Sequence, residues 1–124
     1  MRSFREVFLH IANGNRLMLG IAGGAEKAAI EKAIEENAKS EGEAVAKDRV
    51  VEVLTESFAA VRKVMSDATA GALSRDVDFF GRKTTMRGVL AELDTHIAEH
   101  MGQAIAYSRV NGIVPPWSAV NPAK

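Results

Sequence analysis

Two histidines four residues apart, His96 and His100, are the residues of this sequence best placed to do chemistry. Within a helix, four residues correspond to about 40° of rotation, so both imidazoles project from one face, one turn apart. This spacing suits two ligands of one metal ion. Val89, Leu93 and Tyr107 share the face, which predicts that the pair lies towards the interior of a helical bundle. The alternative is a pair of partly exposed helix histidines that bind nothing.

The third histidine of the chain, His10, lies on the flank of an apolar stripe in a predicted first helix. One turn further on is Gly14, a residue that costs about 1 kcal/mol relative to alanine inside a helix. A glycine there indicates room for the close approach of a neighbouring helix or a ligand. The alternative for His10 is a hydrogen-bonded core histidine. All three histidines thus occupy the inward or flanking faces of two helices.

This placement predicts that His10, His96 and His100 bind one divalent metal ion. Three protein nitrogens leave at least one coordination position for water or substrate, which is typical of catalytic rather than structural zinc sites. Zinc or nickel is the expected ion, and iron and manganese are alternatives because imidazole suits them too. No cysteine is present, so thiolate ligands, disulfides and a cysteine nucleophile are excluded.

Glu99 completes an H-x-x-E-H sequence, the inverted zinc-peptidase motif, in which the glutamate is the general base. That family takes a further acidic ligand downstream, and no Asp or Glu follows His100. We therefore expect Glu99 to be solvated, or to hydrogen-bond a ligand, rather than to act as a base. Gln103 is either a hydrogen-bond partner for an imidazole or substrate or an ordinary polar residue. Tyr107 either donates through its hydroxyl or packs, and no catalytic acid or base can be identified.

The elements that position these residues are predicted to be helices. Ser3 and Glu6 form a capping box at the start of the first helix, which Gly20, Gly23 and Gly24 end. Residues 25–38 predict a short, weakly packed surface helix. A second long helix starts between Ser40 and Asp48, both plausible N-caps. Its predicted buried stripe consists of Val50, Leu54, Phe58, Val61 and Met65.

The second half of the chain is predicted to hold the longest helix, from Thr84 or Thr85 to about Asn111, with Gly112 as the C′ residue. Residues 70–83 are expected to be irregular, and their apolar side chains to plug the open end of a bundle: Val77, Phe79 and Phe80. Three prolines are expected to keep the tail, including Trp117, out of any helix. They are Pro115, Pro116 and Pro122.

The size and charge of the chain favour one globular domain over residues 1–124. Sixteen basic residues balance sixteen acidic ones, which argues against a nucleic-acid-binding protein. No apolar run is long enough to span a bilayer or to form the core of a signal peptide, so we expect no membrane association and a cytoplasmic protein. A helix lying on a membrane is a weak alternative, because bundle packing explains the apolar faces better.

The last helix carries a wide apolar arc, formed by Leu90, Leu93, Ile97, Met101, Ala104 and Ile105. The arc covers nearly half of the helix circumference and therefore requires at least two neighbouring helices. Three main helices are too few to supply them. The sequence thus predicts either a homodimer or a further helix ahead of Met1.

Residues 96–118, HIAEHMGQAIAYSRVNGIVPPWS, resemble the C-terminal helix of the DinB-like superfamily. The shared pattern is a histidine, three residues, a second histidine, a Gly-Gln step, an aromatic residue, an arginine, a glycine and a proline pair. Residues 8–12 resemble the segment that holds that family's first metal histidine, and residues 79–82 are similar too. The resemblance extends over essentially the whole chain.

This resemblance implies an all-α fold, an up-down-down-up four-helix bundle with a long crossover that is commonly dimeric. It also implies a metal held by three histidines, which correspond to His10, His96 and His100. Family members usually have a helix ahead of the segment that resembles residues 3–19, so we expect this chain to lack the first helix of the bundle.

Characterised members of the family include metal-dependent transferases and isomerases that act with bacillithiol, mycothiol or glutathione. The resemblance thus implies a metal-dependent enzyme acting with a low-molecular-weight thiol, an S-transferase or a hydrolase-like protein. The alternative is a non-catalytic helical dimer or partner-binding module whose metal site is structural or vestigial.

Overall fold

The computed structural model describes residues 2–119, and its fold is the all-α bundle that the sequence predicts, with one small β-hairpin added. The elements are α1 (Phe4–Gly23), α2 (Lys27–Gly42), α3 (Lys47–Asp67), α4 (Ala70–Leu73), β1 (Asp76–Phe79), β2 (Arg82–Thr85), α5 (Met86–Val110) and α6 (Pro116–Ala119). None of the helices formed by the described residues is long and apolar enough to cross a bilayer.

Helix α1 lies at the centre of the bundle and packs against α2, α3 and α5. The predicted capping box begins it: Ser3 Oγ accepts from the Glu6 N–H, and the Glu6 carboxylate accepts from the Ser3 N–H. Gly24 ends it in the left-handed region, with φ of 84°. Residues 11–15 are buried on every side, as expected for a helix with neighbours all around it. This central position brings His10 close to two other helices.

The observed bounds of helix α5 confirm the prediction. Thr85 is its N-cap, with the side chain accepting from the Gly88 N–H, and Asn111 is its C-cap. Gly112 follows with φ of 71°, the conformation expected of a C′ residue. At 1.5 Å per residue the helix is about 38 Å long. Leu93 is fully buried against the rest of the bundle, and it lies three residues before His96.

Helices α2 and α3 agree with their predictions in part. Helix α2 has no buried residue, which confirms a weakly packed surface helix. Helix α3 starts inside the predicted window, but its N-cap is Ala46, which makes no side-chain bond, so neither predicted cap is used. Its buried residues are Val50, Val53, Ser57 and Val61. The predicted stripe is therefore confirmed at Val50 and Val61 and in part at Leu54 and Phe58, which are half-buried, but it is wrong at Met65, which is 45% exposed.

The prediction of an irregular segment over residues 70–83 is wrong, because the turn α4 and an antiparallel hairpin occupy it. Phe80 and Gly81 form the turn, with φ of 54° and 83°, and the Asp78 carboxylate accepts from the Gly81 N–H at 2.8 Å. Val77 is buried and Phe79 half-buried in the core, as predicted, whereas Phe80 is 57% exposed. Because successive side chains of a strand point to opposite faces, Val77 and Phe79 share one face of the hairpin. Phe80 lies in the turn at the tip of the hairpin.

The core forms two clusters on either side of α1. One lies at the hairpin end and consists of Ile21, Ala22, Val77, Met86, Val89 and Leu90. The other joins α1 to α3 and consists of Leu9, Ala12, Val50 and Val53. His10 directly follows Leu9 of the second cluster. Packing on both sides of α1 thereby fixes the helix that carries the first histidine.

The tail differs from its prediction at Trp117. Pro116 starts the single helical turn α6, which includes Trp117, because a proline is tolerated at the first position of a helix. Trp117 is 59% exposed. Pro122 lies outside the described residues.

Candidate metal centre

The three histidines of the chain meet at one point of the bundle. His10 comes from α1, and His96 and His100 come from α5, one helical turn apart. Their ring centroids are 4.6 to 5.1 Å apart, and one nitrogen from each ring lies within 4.8 Å of the others. The structure therefore brings together the residues that the sequence singled out, in a group that is able to hold a metal ion.

The spacing of two of these nitrogens matches the requirement of a small divalent ion. The Nε2 atoms of His10 and His96 are 3.3 Å apart. Two nitrogens each about 2.0–2.1 Å from a tetrahedral zinc ion lie roughly 3.3–3.4 Å apart. The separation of these two nitrogens, which is also within hydrogen-bond distance, thus matches the one that a bound zinc ion requires.

Gly14 makes room for this arrangement. A Cβ atom added to Gly14 would overlap the Cε1 atom of His96 and lie 3.0 Å from both of its ring nitrogens. Any side chain larger than hydrogen would therefore displace the His96 ring from its position beside His10. This confirms the prediction that the glycine allows a close approach, and it identifies the approaching group as a candidate ligand.

Hydrogen bonds orient two of the three imidazoles from behind. His10 Nδ1 lies 2.8 Å from Glu41 Oε1, and His100 Nδ1 lies 2.9 Å from Gln103 Oε1. Gln103 in turn donates to the Tyr107 hydroxyl at 3.1 Å. Because both acceptors occupy Nδ1, the Nε2 atoms of His10 and His100 remain available for a metal, an arrangement common around metal-binding histidines.

These contacts decide the role of the residues near the histidine pair. Gln103 bonds an imidazole, which confirms one of its two predicted roles, and Tyr107 both bonds Gln103 and packs edge-on against Phe4 at 5.7 Å. Glu99 is exposed to solvent. No sequence pattern indicated Glu41, which is 31 residues from His10 along the chain and belongs to a helix with no buried residue.

His96 has the most unusual electrostatic environment of the three. Its Nδ1 atom is buried and makes no hydrogen bond. Burial lowers the pKa of His96 to about 4, and the nearby His100 and His10 rings act in the same direction. A neutral imidazole is the form that binds a metal, so His96 needs to lose no proton to do so near neutral pH.

The low pKa of His96 predicts that the metal-free protein loses stability in mild acid. The unfolded chain protonates this imidazole near pH 6.5, whereas the folded chain keeps it neutral down to about pH 4. Folding stability therefore falls as the pH drops through this window, by at most about 3 kcal/mol. Urea unfolding of chelator-treated protein at pH 7.5 and pH 5 measures the loss of stability. His96→Gln is the control, because it lacks the titrating imidazole. A ring-proton signal of His96 that titrates near pH 6.5 would contradict the prediction.

A sizeable cavity of the bundle lies away from the histidines. It has a volume of about 780 Å³ and opens between the α1–α2 turn and the hairpin, with Ile21, Ile30, Val77 and Phe80 in its wall. Ile21 is eleven residues beyond His10, which corresponds to about 16 Å along α1. The cavity therefore does not supply the substrate position of the histidine site.

The comparisons with known proteins agree with this arrangement. The family model described as the DinB superfamily matches residues 1–104, a range that contains all three histidines. Neither the curated proteins nor the solved structures gave a match. Since the family model covers most of the chain, the chain belongs to the DinB superfamily.

Proposed function

We propose that this chain is a metal-dependent enzyme that acts with a low-molecular-weight thiol, as an S-transferase or a hydrolase-like protein. The observation that carries the proposal is the convergence of three imidazoles from α1 and α5 within 4.8 Å. Three nitrogen ligands leave a coordination position open, as in catalytic zinc sites. Zinc or nickel is the proposed ion, with iron or manganese as alternatives.

The chemistry would divide between the ion and the side chains around it. A bound divalent ion lowers the pKa of a thiol or water ligand and so supplies a nucleophile near neutral pH. His10, His96 and His100 would hold the ion, while Glu41 and Gln103 orient two of the rings. The Tyr107 hydroxyl accepts from Gln103, so its own proton would be free for donation to a bound substrate.

The test of this proposal is metal-dependent turnover. Chelator-treated protein is reloaded with zinc, nickel, iron or manganese and assayed with bacillithiol, mycothiol and glutathione against a panel of electrophiles. We expect turnover that depends on both metal and thiol, and no loss of it in Glu99→Gln, because Glu99 is exposed to solvent. Metal binding that raises the melting temperature without any turnover would instead support the non-catalytic module with a structural metal.

We further propose that the chain forms a homodimer, as expected for a cytoplasmic member of this fold in which part of the apolar arc of α5 is uncovered. Met101, a member of the arc on α5, is 54% exposed. Light scattering after size exclusion is expected to give about twice the chain mass of 13.3 kDa. Met101→Glu should shift the protein towards the monomer with its metal content unchanged. A stable monomer at high concentration would contradict the proposal.

A further inference from the structure

Glu41 stands out among the residues around the histidines because it reaches them from a helix with no buried residue. It lies in the last turn of α2, one residue before the helix ends at Gly42. Its Oε1 atom is 2.8 Å from His10 Nδ1, and its Oε2 atom is 3.4 Å from Arg2 Nε. The side chain is only 15% exposed. A carboxylate held in this way has both oxygens engaged.

The bond to Glu41 determines which nitrogen of His10 faces the other histidines. An ionised carboxylate can only accept a hydrogen bond, so the proton of a neutral His10 must reside on Nδ1. Its Nε2 atom then carries the lone pair, and this atom is the one 3.3 Å from His96 Nε2. Glu41 itself is outside the group of three residues whose donor atoms lie within 4.8 Å of one another. It therefore acts on the site through His10 and not as a ligand.

The three imidazoles differ in the hydrogen-bond partners of their Nδ1 atoms. His100 is held by the neutral amide of Gln103, from its own helix, and the buried Nδ1 atom of His96 has no hydrogen-bond partner. Within residues 2–119, Glu41 is thus the charged group that hydrogen-bonds a member of the histidine group. A carboxylate behind an imidazole also raises its basicity towards a metal.

The position of Glu41 depends on how α2 docks on α1. Near this end of the helix, the Asn13 side-chain amide donates to Ser40 Oγ at 3.0 Å and reaches the Asn37 carbonyl at 3.5 Å. These bonds and the Glu41–His10 pair join the two helices by polar contacts. A ligand that holds His10 in position therefore also favours the docked position of α2. Because such coupling is reciprocal, docking of α2 in turn favours this position of His10.

We propose that Glu41 is the positioning residue of the metal site, and that it couples metal occupancy to the docking of the C-terminal part of α2. The inference rests on the metal site of the proposed function. The Glu41 carboxylate holds the Nδ1–H tautomer of His10, so that Nε2 is presented to the ion. Loss of the carboxylate frees the ring to adopt the other tautomer and releases α2.

Zinc affinity, measured by competition with a chromophoric chelator, tests the first half of the proposal. Glu41→Ala is expected to weaken zinc binding by about 10- to 100-fold, the range typical for a lost hydrogen-bond partner of a metal ligand. Glu41→Gln, which retains an amide oxygen without the charge, should fall between Glu41→Ala and the natural protein. Glu36→Ala is the matched control, because Glu36 lies on the same helix, is 63% exposed and pairs only with Lys32 in the described structure.

Two further measurements separate a positioning role from a merely structural one. Nitrogen-15 spectra of the metal-free protein should show the Nδ1–H tautomer of His10, and a mixture of tautomers in Glu41→Ala. Hydrogen exchange of residues 37–42 should slow on addition of zinc, and should not respond in Glu41→Ala. Equal zinc affinity in Glu41→Ala and Glu36→Ala would overturn this inference alone. No zinc binding by the natural protein would overturn the proposed function and this inference with it.

Discussion

Replacement of His96 and His100 together by alanine is expected to abolish metal binding. The two residues supply two of the three nitrogens that converge within 4.8 Å, so only His10 would remain. The expected loss of affinity exceeds about 100-fold, the upper end of the effect of removing an outer hydrogen-bond partner. Elemental analysis of the purified protein and titration of the chelator-treated protein measure the result.

The fold should survive this double replacement. Alanine has the highest helix propensity, and neither histidine is among the fully buried side chains. Glu99→Gln, on the same helix between the two positions, is the control and should bind metal normally. Unchanged metal stoichiometry in the double variant, with helical content retained, would exclude the histidine site altogether.

Gly14→Ala is expected to damage the site without removing any candidate ligand. The new methyl group would overlap the His96 ring, which would have to leave its position beside His10. We expect zinc affinity to fall by an order of magnitude or more. We also expect a loss of about 1–3 kcal/mol in the free energy of unfolding, the usual cost of overpacking. Chemical denaturation and the chelator competition assay measure the two effects separately.

Gly20→Ala is the matched control for this prediction, since Gly20 lies in the same helix. A Cβ atom there would lie 3.9 Å from the Ala25 Cβ, an ordinary contact. The control should stabilise the protein by up to about 1 kcal/mol, because alanine favours the helix. In metal-free protein, Gly14→Ala should also become nearly harmless when His96→Ala is present, because the overlapping ring is gone. A Gly14→Ala variant with normal stability and zinc affinity would contradict the close approach.

The parts of the structure that sequence alone predicted are those set by local chemistry. The bounds of α1 and α5 follow from Ser3, Thr85 and the glycines after each helix, whose effects extend over one turn. The histidine pair is likewise local, because its spacing fixes a common face on any helix. Gly14 indicated a close approach, since a glycine inside a helix costs about 1 kcal/mol relative to alanine.

The hairpin was missed although its signal is present in the sequence. Asp76, Val77, Asp78 and Phe79 alternate between polar and apolar, the period of a strand. The Phe80-Gly81 turn has a bulky residue with positive φ where asparagine or glycine is usual, so the turn signal is weak. Aromatic side chains in a short segment suggested core packing instead, and this interpretation failed for Phe80.

The orientation of α3 and the role of Glu41 depend on contacts between distant parts of the chain. On α3, Leu54 and Phe58 of the predicted stripe are only half-buried, whereas Val53 and Ser57 are buried in the interface with α1. The buried Asn15–Ser57 hydrogen bond at 3.1 Å forms part of that interface, and no helical periodicity of apolar residues could have indicated it. Glu41 resembles any other acidic residue of an exposed helix until α2 is docked.

The histidine group joins positions that are 86 residues apart in the chain. An unfolded chain does not hold the three rings together, so an ion bound by all of them binds the native state in preference. Such selective binding stabilises the native state by about 2.7 kcal/mol when the free ion is at 100 times its dissociation constant. The supply of metal in the cell would then set how often α1 and α5 separate, and with it how long each molecule escapes proteolysis.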